Sequence, residues 1–144
     1  MKWYFSSRTR HRQLIKRITR LLKSQGDRVV FDWASLPLLE PYKNNQKKSS
    51  EVADKIGKAI KEADIFVLIS DPEGTDMFVE LGMAIIYAGS NKKMRIYAIG
   101  KDNKRSLMCL HPKIIHLDNL EELFEKERPE ILDKIRQNYE KSER

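Results

Sequence analysis

Four carboxylates between Asp71 and Glu80 are the residues of this chain whose types and spacing best suit chemistry. They come after an unbroken apolar run, Ile65 to Ile69, and the loop that follows this run carries the first three of them, Asp71, Glu73 and Asp76. Asp76 and Glu80 are four residues apart, so a helix that begins here places both on one face near its start. A carboxylate in that position interacts favourably with the helix dipole and tends to stay ionised. An ionised glutamate can attack or stabilise an oxocarbenium-like sugar carbon, while a neighbouring acid protonates the leaving group.

The segments around these carboxylates predict a strand, a loop and a helix. An apolar run of five residues, 65–69, is typical of a strand buried on both faces in a parallel sheet. After it, Thr75 can cap a helix and Gly89 can end it. The apolar residues of this helix recur at helical spacing and predict its buried face: Met77, Leu81, Ala84, Ile85 and Ala88.

The rest of the chain repeats this alternation of strand and helix. Strands are predicted at 2–5, 29–31, 94–99 and 114–116, a second helix is predicted to begin with a cap at Ser50, and residues 32–48 are predicted to form a long irregular loop. Right-handed crossovers then predict a three-layer α/β/α, flavodoxin-like or Rossmann-like fold. Its sheet is mostly parallel, with about five strands in the order 2-1-3-4-5, and residues 1–144 form a single domain.

The loops that follow the strands carry further candidate site residues. In a parallel sheet these loops lie at one edge, so residues 6–10, 32–33, 71–76 and 101–110 are expected to cluster. Arg8 and Arg10, with nearby backbone amides, provide what a phosphate group needs, and Trp33 adds an aromatic ring. The sequence therefore predicts a cleft that combines carboxylates, arginines, hydroxyls and an aromatic side chain.

Charge and composition limit the classes of partner. The net charge is +7, and residues 1–48 contain twelve Lys and Arg against three Asp and Glu. This asymmetry fits a nucleic acid, an anionic membrane or a phosphate-bearing small ligand, and equally a solvated basic helix face. Cys109 is the single cysteine, and neither a signal peptide nor a membrane-length apolar run is present. We therefore expect a cytoplasmic protein without a membrane partner.

Several common kinds of catalytic site are not indicated. The sequence has no phosphate-binding glycine loop, dinucleotide fingerprint or zinc signature, and the histidines at 11, 111 and 116 are not spaced as a ligand set. No serine lies in a nucleophile-elbow context, and the apolar neighbours of Cys109 favour a packing role. No metal and no cofactor are expected.

Four segments in order resemble the nucleoside 2-deoxyribosyltransferase-like superfamily. They are K-W-Y-F-S-S-R at 2–8, A-D-I-F-V-L-I-S-D at 63–71, G-T-D-M-F-V-E-L-G-M-A at 74–84, and R-S-L-M at 105–108 before the I-I-H-L-D-N-L-E-E-L ending. The superfamily includes nucleoside deoxyribosyltransferases and nucleoside 5'-monophosphate N-glycosidases. The resemblance spans nearly the whole chain, and E-L-G-x-A after an Asp-bearing loop is its most specific part.

The resemblance implies an enzyme that acts on the N-glycosidic bond of a nucleoside or nucleotide. Glu80 would be the nucleophile that forms a covalent intermediate with C1', and Asp76 or Asp71 would assist the base. Ser106, before a hydrophobic-Met pair, would bind a 5'-phosphate from the neighbouring subunit, which implies a homodimer or a higher homo-oligomer. The other residues assigned to substrate binding lie in the first loop and the matched segments: Tyr4, Ser6, Ser7, Arg8, Gly74 and Met108.

Two departures keep other functions open. Family members commonly carry an Asp eight residues before Asp64, where it contacts the ribose or base, and here that position is Ile56. The transferases carry an acidic residue at position 74, which is Gly in this chain. A non-catalytic nucleotide-binding or signalling module on the same fold is therefore one alternative, and a TIR-like NAD hydrolase is another. A nucleic-acid binder, suggested by the basic front third, ranks last.

Overall fold

A five-stranded, all-parallel sheet forms the centre of the computed structural model, which describes residues 1–90 and 93–140. The strands are β1 (Lys2–Ser6), β2 (Arg28–Val29), β3 (Ile65–Ile69), β4 (Arg95–Ile99) and β5 (Ile114–Leu117). Their order in the sheet is β2-β1-β3-β4-β5. The predicted α/β fold class and strand order are both confirmed.

The position of β3 in the middle of the sheet explains why every residue of this strand is apolar. Trp3 of β1 is in register with Ile65, which is itself in register with Arg95 of β4. All five residues of β3 are buried, because both faces of the sheet are covered by helices. β3 has the bounds predicted from its apolar run.

The five helices of the described residues divide between the two faces of the sheet. Apolar residues of α1 (Arg12–Ser24), α4 (Leu120–Glu127) and α5 (Leu132–Glu140) form one core with Trp3 and Phe5. Those of α2 (Gln46–Glu62) and α3 (Asp76–Ser90) form the other core with Tyr4 and Phe66. Because side chains alternate along a strand, Tyr4 and Ser6 both point toward α2 and α3. β1 thereby presents two hydroxyl groups to the face that contains Glu80.

The third helix has the buried face that its spacing predicts: Met77, Leu81, Ala84, Ile85 and Ala88 are its buried residues. Its C-terminal end differs from the prediction, because the helix continues through Gly89 to Ser90. Gly89 is not among the glycines with positive φ, so it does not adopt the left-handed conformation that ends many helices. Residues 91 and 92, which follow the helix, lie outside the described residues.

The segment from 29 to 50 is more ordered than the sequence indicated. β2 ends at Val29 rather than at residue 31, although the Val30 N–H still bonds the Trp3 carbonyl oxygen at 2.9 Å. The predicted irregular loop contains two short 3-10 turns, Trp33–Ser35 and Tyr42–Asn44. α2 begins at Gln46, so the cap predicted at Ser50 is wrong. Gln46, Lys47 and Lys48 are exposed. Glutamine and lysine have a high helix propensity, but these three residues include no buried apolar residue whose spacing would indicate a helix.

Candidate active site

Glu80 lies in the second turn of α3 and faces the end of β1. The Tyr4 and Ser6 hydroxyl oxygens are buried, and both groups interact with the Glu80 carboxyl. Neither hydroxyl makes a fully formed hydrogen bond to any described residue, so Glu80 is the polar group that each of them faces. The arrangement follows from β1 alternation and from the helical face that Glu80 occupies.

The expectation that Glu80 stays ionised because of its place near the helix start is wrong. Burial disfavours the carboxylate and raises the pKa of Glu80 to about 7, while interactions with Ser6 and Tyr4 oppose the rise and the charge of Asp76 adds to it. The pKa of the Tyr4 phenol is also raised, first by burial and then by the nearby Glu80. A carboxyl group with a pKa near neutrality in a cavity is a candidate catalytic group.

A cavity of about 660 Å³ opens beside Glu80. This volume lies in the range of small-molecule sites. Its polar side chains come mainly from the loop after β1 and the start of α3, and its apolar side chains come mainly from the 36–39 segment and α2. The residues that line it are Ser7, Arg8, Thr9, Arg12, Trp33, Leu36, Pro37, Leu38, Leu39, Glu40, Tyr42, Ser49, Val52, Ala53, Ile56, Gly74, Thr75, Asp76, Met77, Val79, Glu80 and Met83.

Asp76 is the first residue of α3 and lines the same cavity one turn before Glu80. Its side chain is exposed, which leaves it open to solvent and to a ligand. Tyr42, which also lines the cavity, donates its hydroxyl to Glu40 at 3.2 Å. Burial and Glu40 raise the pKa of Tyr42, and Asp76 and Glu80 add smaller contributions.

Trp33 and Arg12 hold the wall of the cavity that follows β2. The Trp33 indole N–H donates to the Phe5 carbonyl oxygen at 2.7 Å, at the end of β1. Arg12 donates from Nε to the Ala34 carbonyl at 2.6 Å and from its guanidinium to the Leu36 carbonyl. These bonds fix the 33–36 segment against α1, so the predicted aromatic residue does reach the site.

Arg8 lines the cavity next to the loop before α3. Gly74 has φ +106°, a conformation that favours glycine, and a Cβ at this position would lie 2.8 Å from Arg8 Cδ and 2.8 Å from Met77 Sδ. The absence of a side chain at Gly74 thus allows the Arg8 stem to pack against the start of α3. The Arg8 guanidinium also lies 3.4 Å from a carboxylate oxygen of Glu73.

Asp71 and Arg10 do not line the cavity, and neither do the fully buried Tyr4 and Ser6, which were predicted to contact the substrate. The buried Asp71 carboxylate accepts the Glu73 N–H at 3.0 Å, and one of its oxygens lies 3.0 Å from His11 Nε2 and 3.3 Å from Arg10 Nε. Burial alone would raise the pKa of Asp71, but these contacts outweigh it and the pKa is lowered. Asp71 therefore anchors the loop between β3 and α3, and Asp76 is the loop acid that faces the cavity.

Ser106 and Met108 also lie outside the cavity of their own chain. The Ser106 hydroxyl caps the 3-10 turn Leu107–Leu110, where it interacts with the Cys109 N–H at 3.4 Å and donates to Cys109 Sγ at 3.2 Å. Leu107, Met108 and Leu110 are exposed. The role implied for Ser106 belongs to a neighbouring subunit, so this role and the homo-oligomer remain predictions.

Sequence reasoning missed several lining residues, chiefly Arg12, Glu40, Tyr42 and Ser49. Glu40 and Tyr42 belong to the 32–48 segment, which has no periodic pattern, and Ser49 lies in the first turn of α2, which was predicted to begin later. The length of the 32–48 segment was the available signal, since long loops in small domains often serve a site. Arg12 belongs to no motif in the sequence, and its guanidinium bonds two loop carbonyls in the structure.

The described part of the chain, residues 1–90 and 93–140, has no group of three His, Cys, Asp or Glu side chains placed to hold a metal ion. Nor does it contain a helix that is both long and apolar enough to cross a membrane.

The fold and the cavity together define an open α/β protein with a carboxyl-bearing site at the carboxyl edge of a parallel sheet. Among solved structures, the CMP N-glycosidase BcmB from Clostridium botulinum shares this fold, with a TM-score of 0.56 and 13% sequence identity. The match covers 94% of this chain and 98% of the BcmB chain. An N-glycosidase is one of the two kinds of enzyme that the sequence motifs resemble. No protein-family model matches the sequence, and no curated protein matches it.

Proposed function

We propose that this protein cleaves the N-glycosidic bond of a nucleoside 5'-monophosphate, or transfers its sugar to a second base, with Glu80 as nucleophile. One observation carries the proposal: Glu80 faces a nucleotide-sized cavity and interacts with two buried hydroxyls that have no other described partner. The shared fold with a CMP N-glycosidase supports the same class of reaction. Arg8 at the cavity wall supports a phosphorylated substrate rather than a free nucleoside.

The proposed reaction has two steps. The ionised Glu80 carboxylate attacks C1' of the sugar, the bond from C1' to the base nitrogen breaks, and its electron pair leaves with the base. Asp76, exposed at the start of α3, takes up a proton from solvent and passes it to that base. A water molecule then attacks C1', Asp76 accepts the proton that this water loses, and the ester bond breaks to release Glu80 and the sugar phosphate. Attack by a second base in place of water completes a transfer. Tyr4 and Ser6 interact with the Glu80 carboxylate before the first step, and they interact with it again after the second step has released it.

A second candidate function is a nucleotide-binding module without catalysis. Ile56 favours it, because this residue lines the cavity where the resemblance implies a ribose-contacting Asp. Val52 and Ala53 extend the same apolar wall of α2. Such a module would bind a nucleotide and return it unaltered.

A product assay on a panel of substrates tests the proposal. The protein is incubated with ribonucleoside and deoxyribonucleoside 5'-monophosphates including CMP, with free nucleosides and with NAD, with and without an added second base. We expect chromatography to show a free base and a sugar 5-phosphate from at least one monophosphate. Catalysis is excluded if the wild type releases no base from any of these substrates, as is expected of the Glu80→Ala control at the same protein concentration. Calorimetric binding of an unaltered nucleotide would then favour the binding module, and release of nicotinamide alone would favour a TIR-like activity.

The Tyr4→Phe variant should shift the pH dependence of base release. The phenol stabilises the ionised form of Glu80, so its removal raises the pKa of Glu80 above the wild-type value of about 7. We expect the acidic limb of the kcat/KM profile to move upward by about one pH unit. Tyr87→Phe, at the other end of α3, is the matched control and should leave the profile in place. An unchanged acidic limb in Tyr4→Phe would show that the phenol does not act on the catalytic carboxyl.

A further inference from the structure

Glu73 is placed to compete with an anionic ligand for the arginines at the mouth of the cavity. One of its carboxylate oxygens lies 2.6 Å from the Arg10 guanidinium and 3.4 Å from that of Arg8. Arg8 lines the cavity, whereas Glu73 does not. A carboxylate outside the cavity thus neutralises a cation inside it.

The backbone around Glu73 is held by hydrogen bonds, whereas its side chain is held by exposed ion pairs with Arg8 and Arg10. The Glu73 N–H donates to Asp71 at 3.0 Å, and Arg105 donates to the carbonyl oxygens of Glu73 and Gly74 at 3.3 and 3.4 Å. Arg105 is itself held over the Phe78 ring at 4.5 Å. In contrast, 61% of the Glu73 side chain is exposed, and exposed ion pairs contribute little to stability. The carboxylate can therefore leave the arginines at small cost without disturbing the loop.

The place that the carboxylate would vacate suits a phosphate group. The Arg8 stem packs against Gly74, so its guanidinium lies beside the N-terminal end of α3, where the helix dipole favours an anion. A phosphate can accept paired hydrogen bonds from a guanidinium as a carboxylate does, and it carries a larger negative charge. Arg12 adds a second cation on the cavity wall that pairs with backbone carbonyls rather than with a carboxylate among the described residues.

We propose that Glu73 is an internal counter-ion that occupies Arg8 when the cavity is empty and yields it to the 5'-phosphate of the ligand. This inference rests on the proposed function for the identity of the ligand as a nucleoside 5'-monophosphate. Glu73 then lowers the affinity of the site for every phosphorylated ligand and leaves free nucleosides unaffected. It is a specificity-determining residue, distinct from the carboxyl group that attacks the sugar.

Binding measurements in a Glu80→Gln background test the inference without turnover. Calorimetry compares Glu73→Gln with its parent for ribose 5-phosphate, a nucleoside 5'-monophosphate and the matching free nucleoside. We expect the two phosphorylated ligands to bind about three- to ten-fold more tightly to the Glu73→Gln variant, and the nucleoside to bind equally to both. Because the effect is electrostatic and exposed, most of the gain should disappear at high salt.

Glu62→Gln is the matched control. Glu62 is also an exposed glutamate that pairs with two cations, at 2.8 Å from Arg28 and 3.4 Å from Lys2, but it lies at the opposite edge of the sheet. This substitution removes the same charge and should leave all three affinities unchanged.

Three results would overturn the inference: unchanged or weaker phosphate binding in Glu73→Gln, an equal gain for the nucleoside, or an equal gain in Glu62→Gln. Weaker binding would instead identify Glu73 as a residue that positions Arg8. The outcome is separable from the proposed function. If the wild type releases base but Glu73→Gln shows no change in phosphate preference, only the counter-ion role is refuted. If Glu73→Gln gains affinity for phosphorylated ligands alone but the wild type releases no base, only catalysis is refuted.

Discussion

Replacing Glu80 with glutamine should lower the rate of base release by about a thousand-fold or more, with little change in nucleotide binding. The amide keeps the shape of the side chain and can still contact Tyr4 and Ser6, but it cannot form a glycosyl ester with C1'. The effect should appear mainly in kcat, because the lost interaction belongs to the reaction rather than to binding. Initial rates measured by chromatography of the free base provide the test.

Two further measurements make this result specific. Glu62→Gln changes the same group at the far edge of the sheet and should retain wild-type activity. In the wild type, rapid quenching with a slow substrate followed by peptide mass spectrometry should show the mass of a sugar phosphate on the peptide that contains Glu80. Wild-type turnover by Glu80→Gln would refute the role of Glu80 as nucleophile. Near-complete loss of turnover in Glu80→Gln, without any adduct in the wild type, would favour electrostatic stabilisation by the carboxylate over covalent attack.

The sheet and the helix that carries Glu80 could be predicted because each is encoded by a local pattern. β3 requires five consecutive apolar residues, and α3 buries one residue in every three or four, so both patterns are visible without any tertiary information. The parallel arrangement then follows from the alternation of elements. α2 was misplaced at its start because its first turn is wholly exposed, which leaves no apolar periodicity to detect.

The candidate site could be predicted only as far as the rule that strand ends converge. That rule brought Arg8, Trp33, Asp76 and Glu80 to one edge, and all four line the cavity. It could not distinguish Asp76 from Asp71, because the difference depends on His11, which lies 60 residues away and occupies one Asp71 oxygen. Nor could it reveal the hydroxyls of Tyr4 and Ser6 as partners of Glu80, a contact that depends on how closely α3 packs on β1.

The same packing makes Glu80 costly to the folded protein when it is ionised. Its pKa is about 7 in the folded chain against an ordinary value of 4.5. The folded state therefore binds the proton more tightly than the unfolded state, and the contribution of this group to stability is fully present below pH 4.5 and is lost as the pH rises through 7. A shift of this size corresponds to on the order of 3 kcal/mol. Functional sites often retain such a destabilised group.

Glu80→Gln should consequently be more stable than the wild type at pH 8, by up to about 3 kcal/mol, because an amide carries no charge to bury. The gain should shrink as the pH falls from about 7 and vanish below about 4.5, where the wild-type carboxyl is protonated in both states. Urea denaturation at several pH values measures it. Asp71→Asn is the control of opposite sign, since the lowered pKa of Asp71 means that its charge stabilises the fold at neutral pH. If Glu80→Gln is no more stable than the wild type at pH 8, or if its gain in stability is the same at pH 4 and pH 8, the ionised Glu80 carboxylate does not destabilise the folded protein.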